Sequence, residues 1–268
     1  MATKLQFEQK SRLYLTLHDS YLMIKRSSTH ILRNNDQLLG AFFQPIMFIL
    51  LFSAVFGGAI SKSLPAGISY LNFLMAGIIV QTVAFGSTTT AIGVCNDLQK
   101  GIVDRFKSLP MSNLAVLNGH VVSDVFRNAI STLVMLVVGL AIGFRSHASL
   151  TSWLEIAGIL LAFTLAFSWI AAIIGMIAKS VEGVQWLTFV MVFPLTFASS
   201  AFVPAEGLSS GLKIFALNQP ITHVVEAVRA LMLGTPTGDH VFFALIWSFG
   251  TLIITIPIAA VMFRRKTS

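Results

Sequence analysis

Polar positions in this chain come in islands, and between them run six apolar stretches, at about 38–60, 70–94, 119–143, 152–178, 184–204 and 240–263. A helix needs about 20 apolar residues to cross a bilayer, so each stretch is long enough to span. Lipid offers no partner to a free N–H or C=O, which makes all six helices by expectation, with Pro45, Pro194 and Pro257 as the expected kinks. Six crossings return the chain to the side on which it began. The fold class read from this pattern is an all-α integral membrane protein, organised as one transmembrane domain over residues 1–268.

Two shorter patterns lie outside the spans. Leu13, Leu17, Tyr21, Ile24 and Ile31 recur at steps of three, four and seven within residues 12–33, among Arg12, Lys25, Arg26 and Arg33. This suits an amphipathic helix on an anionic membrane surface, or a basic tail that only fixes topology. Between the fifth and sixth stretches, residues 205–239 hold two apolar pieces too short to cross, expected as short helices lying on or dipping into one face of the membrane. Glu226 and Arg229 are three apart there, close enough to pair. Gly139 and Gly143 form a GxxxG in the third stretch, a weak signal of close helix contact.

Composition agrees with a membrane protein: 55% of residues are hydrophobic and 11% charged, and the mean hydropathy is +0.81. The formal charge of +7 would suggest nucleic acid for a soluble protein, but the distribution of the cations explains it better. Thirteen Lys and Arg fall in the N-terminal segment, the second-to-third loop, the fourth-to-fifth connection and the tail, against four on the opposite face. That bias puts both termini in the cytoplasm of a multi-pass cell-membrane protein, with no nucleic-acid partner expected. No cleavable signal peptide is expected, because charges punctuate the first 37 residues.

Reactive constellations are sparse. The six histidines show no metal-ligand spacing, and neither a GxSxG elbow nor a GxxxxGK[ST] phosphate loop occurs. Cys95 reads as a small apolar residue near a helix end. His120 and Asp124, four apart at the start of the third stretch, are expected to pair; Asp124 and Arg127 are taken as the ionisable groups within the spans, seating that helix as an ion pair. Gln81 and the run Gly86-Ser87-Thr88-Thr89-Thr90 either bond across helices or line a pathway. No catalytic, cofactor-binding or metal residues are expected.

The densest polar island is NDLQKGIVDRFKSLPMS, residues 96–112, which carries five charges between two apolar runs. Ile102, Phe106 and Leu109 repeat at four and three with Val103 beside them, while Lys100, Asp104, Arg105 and Lys107 point elsewhere. Gly101 and Pro110 bound a short amphipathic helix whose apolar face needs either the membrane surface or a groove on another protein.

The string KGIVDRFKSLPMS resembles the segment between the second and third spans of type-2 ABC exporter permeases. NQPITHVVEAVRALMLG, residues 218–234, is similar to that family's pattern before the last span, through Asn218, Pro220, Glu226 and Arg229, and PIMFILLFSAVFG, residues 45–57, also fits. The resemblance covers nearly the whole chain and is strongest to the daunorubicin/doxorubicin-resistance group. It implies a pair of six-span permeases with two separately encoded ATPase subunits, which bind the ATP and Mg. It further implies a coupling helix within residues 98–111, including Leu98, Gln99, Lys100, Gly101, Ile102, Val103, Arg105, Phe106, Leu109 and Pro110, and a connecting helix at 12–33. Gln99 departs from the Glu that many relatives carry there. The implied function is export of an amphipathic or hydrophobic solute; the rival readings are a membrane anchoring or assembly subunit and a secondary transporter that works without an ATPase.

Overall fold

The computed structural model describes residues 35–65, 67–101 and 115–267. The segments at 12–33 and 102–114, which hold the expected connecting helix and most of the expected coupling helix, lie outside the described residues. What is described is helical, without strands.

Among the described residues nine α-helices follow in order: α1 (Asn35–Ile60), α2 (Tyr70–Gly86), α3 (Thr88–Gln99), α4 (Ala115–Ile142), α5 (Leu150–Ile177), α6 (Val181–Phe197), α7 (Ser210–Asn218), α8 (Pro220–Leu233) and α9 (His240–Thr267). Their starts are chemically marked. Ser69, Ser149 and Ser180 each cap a helix by accepting from the backbone N–H three residues on, at 3.1–3.2 Å. Pro220 opens α8, where its missing N–H costs nothing. Gly143, at φ 118°, ends α4, and the Phe144 N–H closes back on the Gly139 carbonyl at 2.8 Å. Gly139 therefore meets the Met75 side chain while Gly143 serves as a helix stop, and the two do not form a shared helix-contact face.

Among the described residues five segments are long and apolar enough to cross a membrane: Phe43–Ile60, Tyr70–Gln99, Val116–Ile142, Leu150–Ile177 and His240–Lys266. The fifth expected span, 184–204, is shorter than expected: it is the 17-residue apolar helix α6, which ends at Phe197. There the chain leaves the helix for a turn over 198–202. Pro194 near the end of α6 cannot donate to the ladder. The second expected span runs on to Gln99 but is interrupted between Gly86 and Thr88.

α5 is the central element. Of its span 72% is buried, against 11% for α1, and it packs on α9, α3, α4 and α8. The main apolar cluster gathers α2 residues such as Leu74, Ile78 and Ile79 with Phe163 of α5 and Ile221, Val224 and Val228 of α8. A second cluster, at the end bearing Lys100 and Lys179, joins Val94, Leu117, Trp169, Met176 and Phe263. Side chains such as Phe43, Leu133, Trp186 and Ile253 face outward, as expected where the surrounding medium is lipid rather than water.

Two glycines set the closest helix approaches. A Cβ on Gly77 would lie 2.0 Å from the Ala201 carbonyl oxygen, and one on Gly175 would lie 2.3 Å from that of Ala91. Neither backbone has room to yield. Gly77→Val is expected to lower the unfolding free energy by about 1–3 kcal/mol through overpacking, whereas Gly58→Ala, with nothing within 4 Å, should leave it unchanged; thermal unfolding of the two purified variants in one detergent checks both.

Candidate functional site

Three arrangements sit along the α2–α3 rod, one at each end and one in the middle. At the first end lies the hairpin formed by α7 and α8. α8 is not a surface helix: ten of its residues, Ile221 to Met232 among them, are buried against α2, α5 and α9. The turn at 198–202 places backbone carbonyls inside the protein, and Arg229, 5% exposed, supplies their donors. Its Nε donates to the Phe73 carbonyl at 3.0 Å and its Nη2 to the Ser200 carbonyl at 2.7 Å, while Nη1 reaches Glu226 Oε1 at 2.6 Å. The guanidinium carbon stands 3.6 Å over the Phe73 ring. Gln219 Nε2 donates to the Leu195 carbonyl at 2.8 Å and Tyr70 Oη to that of Phe202 at 3.0 Å. Asn218 makes only a local bond, to the Ile214 carbonyl at 2.8 Å. Arg229 thus acts as a backbone clamp, with the Glu226 pair as one of its contacts. Tyr70 and Gln219 escaped the sequence reading, since nothing in their spacing announces a carbonyl 24 to 132 residues away.

In the middle, where α2 gives way to α3, α4 lays a polar face against the rod. Arg127 donates to both the Gly86 carbonyl and Asp124 Oδ1, and Ser168 Oγ of α5 donates to Asp124 Oδ2. Asp124 and Arg127 are both buried, rather than snorkelling to an interface. The expected His120–Asp124 pair does not form. His120 Nε2 lies 2.9 Å from Asp97 Oδ2 across the α3–α4 contact instead, because facing helices compete for the same groups as neighbours on one helix. Asp97 within α3, and the exposed Glu155 within α5, are further carboxylates in membrane-length helices that the sequence reading passed over.

Beside this junction, Gln81 and Thr88 line a pocket of about 270 Å³ together with Gln44, Phe48, Phe85, Gln185, Phe189, Phe193 and Phe197. It lies between α1, the α2–α3 junction and α6. Phe189, Phe193 and Phe197 form a stacked wall on α6, with centroids 4.9 and 4.2 Å apart. Gln81 is 3% exposed, and neither atom of its amide has a partner among the described residues. Thr89 and Thr90 do not line the pocket; Thr90 is buried with its hydroxyl unpartnered.

At the far end, α3 delivers Leu98, Gln99, Lys100 and Gly101 to the loop. Leu98 packs on the second apolar cluster and Lys100 is exposed. Gly101 takes φ 60°, left-handed. Gln99 Nε2 donates to the Lys179 carbonyl at 2.7 Å, a bond that a carboxylate in its place could not donate. Ile102, Val103, Arg105, Phe106, Leu109 and Pro110 lie outside the described residues. Among the described residues no group of three or more His, Cys, Asp or Glu gathers; His223 and His240 meet as a pair, Nδ1 to Nδ1, at 3.2 Å.

The family model of ABC-2 type transporters matches residues 19–233. The chain belongs to the ABC-2 type transporter family. Among relatives of this permease, the daunorubicin resistance ABC transporter permease of Streptomyces coeruleorubidus is 30% identical over 232 residues, covering 87% of this chain and 81% of the relative. The probable doxorubicin resistance ABC transporter permease DrrC of Mycobacterium tuberculosis is 24% identical over 265 residues, 97% of this chain and 93% of the relative. A putative transport permease of Cyanophora paradoxa is 23% identical over 222 residues, 81% and 75% of the two chains. The chain is thus a multi-pass membrane permease of a family that works with ABC ATPase partners, hydrolysis residing on a separate subunit.

The clamp gives a direct test. Arg229→Met leaves the Phe73 and Ser200 carbonyls without their donor and is expected to cost roughly 3–5 kcal/mol. The readouts are a fall in Tm and faster proteolysis of the 198–210 segment. Arg229→Lys should not rescue it, since one ammonium lacks the fork that reaches both carbonyls and Glu226.

Proposed function

We propose that this chain is the membrane-spanning subunit of an ATP-driven exporter that moves an amphipathic or hydrophobic solute, such as a drug, lipid or glycolipid, out of the cytoplasm or inner leaflet. The observation that carries this reading is the family match over residues 19–233, and the names of the resistance permeases among its relatives support a drug-like cargo. Two permease halves, copies or relatives, pair in the membrane above two ATPase subunits that bind the ATP and Mg. Both termini and the loop at 96–112 face the cytoplasm.

Coupling then runs through the α2–α3 rod. The loop helix at 98–111 docks in a groove on the ATPase, with Ile102 and Phe106 as apolar anchors, Val103, Leu109 and Pro110 shaping the same face, and Arg105 at the rim. The helix at 12–33 lies beside it as a connecting helix. Closure of the ATPases pushes on the loop. The push reaches the Gly86–Thr88 interruption, where Arg127 holds the Gly86 carbonyl, and α3 swings relative to α2 between inward-open and outward-open packings. Gln81 and Thr88 sit beside that pivot and meet the solute; Thr89 and Thr90 follow it on the moving helix.

A secondary carrier would want an ionisable group open to the pathway. Asp124 is instead committed to Arg127 and Ser168, and Asp97 faces His120; Glu155, the exposed carboxylate, stands in the first turns of α5, away from the residues that line the pocket. An anchoring subunit would bind the ATPase without solute-stimulated turnover.

Phe106→Asp tests the reading. A carboxylate forced into an apolar groove costs a few kcal/mol, so the variant is expected to lose the co-purifying ATPase or its solute-stimulated hydrolysis while keeping the wild-type Tm. Unchanged association and turnover would remove the loop from the coupling role, and the absence of any ATPase with the wild-type permease would remove the exporter reading itself.

A further inference from the structure

The pocket's chemistry says more about what it accepts than the family does. Its nine lining residues are five phenylalanines, three glutamines and one threonine, with no charged side chain among the described residues that form it. Gln81 forms the buried floor, and Gln44 and Gln185, both exposed, stand at the rim. The Gln81 amide offers two N–H donors and one carbonyl acceptor with nothing among the described residues to take them. Gln219 and Arg229 bind backbone carbonyls; Asn128 is a second buried amide with neither atom partnered among the described residues, and Gln81 differs from it in lining the pocket. An unpaired amide at 3% exposure, on a residue that lines an aromatic-walled pocket, is a group that a ligand can satisfy once the side chain turns toward it.

We propose that this pocket is a solute-recognition site selective for uncharged, ring-bearing molecules with a carbonyl or hydroxyl edge, and that Gln81 is the residue that reads that edge. The proposal rests on the transport reading above and assigns it a chemical class. The α6 rings stack against the flat apolar part of the solute, and Gln81 pairs with its polar edge. A solute carrying a full charge must shed its hydration without meeting a counter-ion. The attraction of phenylalanine faces for a cation does not make up that loss. About 270 Å³ is close to the lower end of ligand-pocket volumes, which suits one ring system rather than a long chain.

The test uses the full-length permease in nanodiscs, without ATPase, and two probes of one skeleton: the neutral carbonyl-bearing fluorophore prodan and a trimethylammonium derivative of it, with empty nanodiscs subtracted. Prodan is expected to bind about tenfold more tightly than the charged derivative. Gln81→Leu should weaken prodan binding about five- to tenfold, as the loss of a buried hydrogen bond does. The same variant should hold or raise the Tm of the empty permease, since it removes a buried amide that nothing satisfies. Equal binding of the two probes, unchanged prodan binding in Gln81→Leu, or a lowered Tm in that variant would each overturn the proposal; the last would mean that the amide is structural. A second copy sealing the pocket, seen as a Gln185→Cys disulfide between copies that leaves prodan binding intact, would overturn it as well. Phe106→Asp serves as the separating control: it should leave prodan binding unchanged while ATPase coupling is lost, so a failed pocket leaves the exporter reading standing and a failed coupling leaves the pocket standing.

Discussion

An unpaired backbone carbonyl is expensive wherever water is excluded, and this permease turns its chain inside the protein at residues 198–202. The turn is tolerable because Arg229, Gln219 and Tyr70 bring donors to the carbonyls of Ser200, Ala198 and Phe202. Much else rests on that solution. With the turn satisfied, α8 can sit among α2, α5 and α9. With α8 in place, the main apolar cluster has its third wall, and Gly77 can press against the Ala201 backbone. The clamp also fixes Phe73, in the first turn of α2, and so anchors one end of the rod whose other end carries Lys100 and Gly101.

The same economy governs the α2–α3 junction. An interruption in a buried helix would be a fault were it not for α4, which sends Arg127 to the Gly86 carbonyl and balances the cation with Asp124. Burying an ion pair is rarely the cheapest way to gain stability. Its value here is positional, since it holds one carbonyl of a helix that otherwise has an apolar environment in which to slide. The junction therefore has a defined resting geometry, and the aromatic pocket opens directly beside it.

Much of this could be read from the residues, and the failures have a common cause. Long apolar runs fix helices because lipid leaves no alternative, so the positions of α1, the α2–α3 rod, α4, α5 and α9 agree with the expected stretches to within a few residues. The family, too, was legible in short strings at 100–112 and 218–234. Spacing along one helix, however, says nothing of the helix opposite. His120 was expected to turn to Asp124 and instead faces Asp97. α8 has the length and polarity of a surface helix, and only tertiary packing makes it a buried one. Gln81 and Thr88 point to the pocket while Thr90 points inward, a distinction of helix face that a run of three threonines conceals.

Gln99 has a role beyond its place at the end of α3. Its bond to the Lys179 carbonyl ties the foot of α3 to the residue before the Ser180 cap of α6. Those two helices carry opposing walls of the pocket, Thr88 on one and the phenylalanine stack on the other. A caliper whose jaws share one rivet does not open at the rivet. With the two jaws tied at their feet, a change in pocket width is taken up at the unriveted side, along α1, where Gln44 and Phe48 stand and where the burial of the molecule is least.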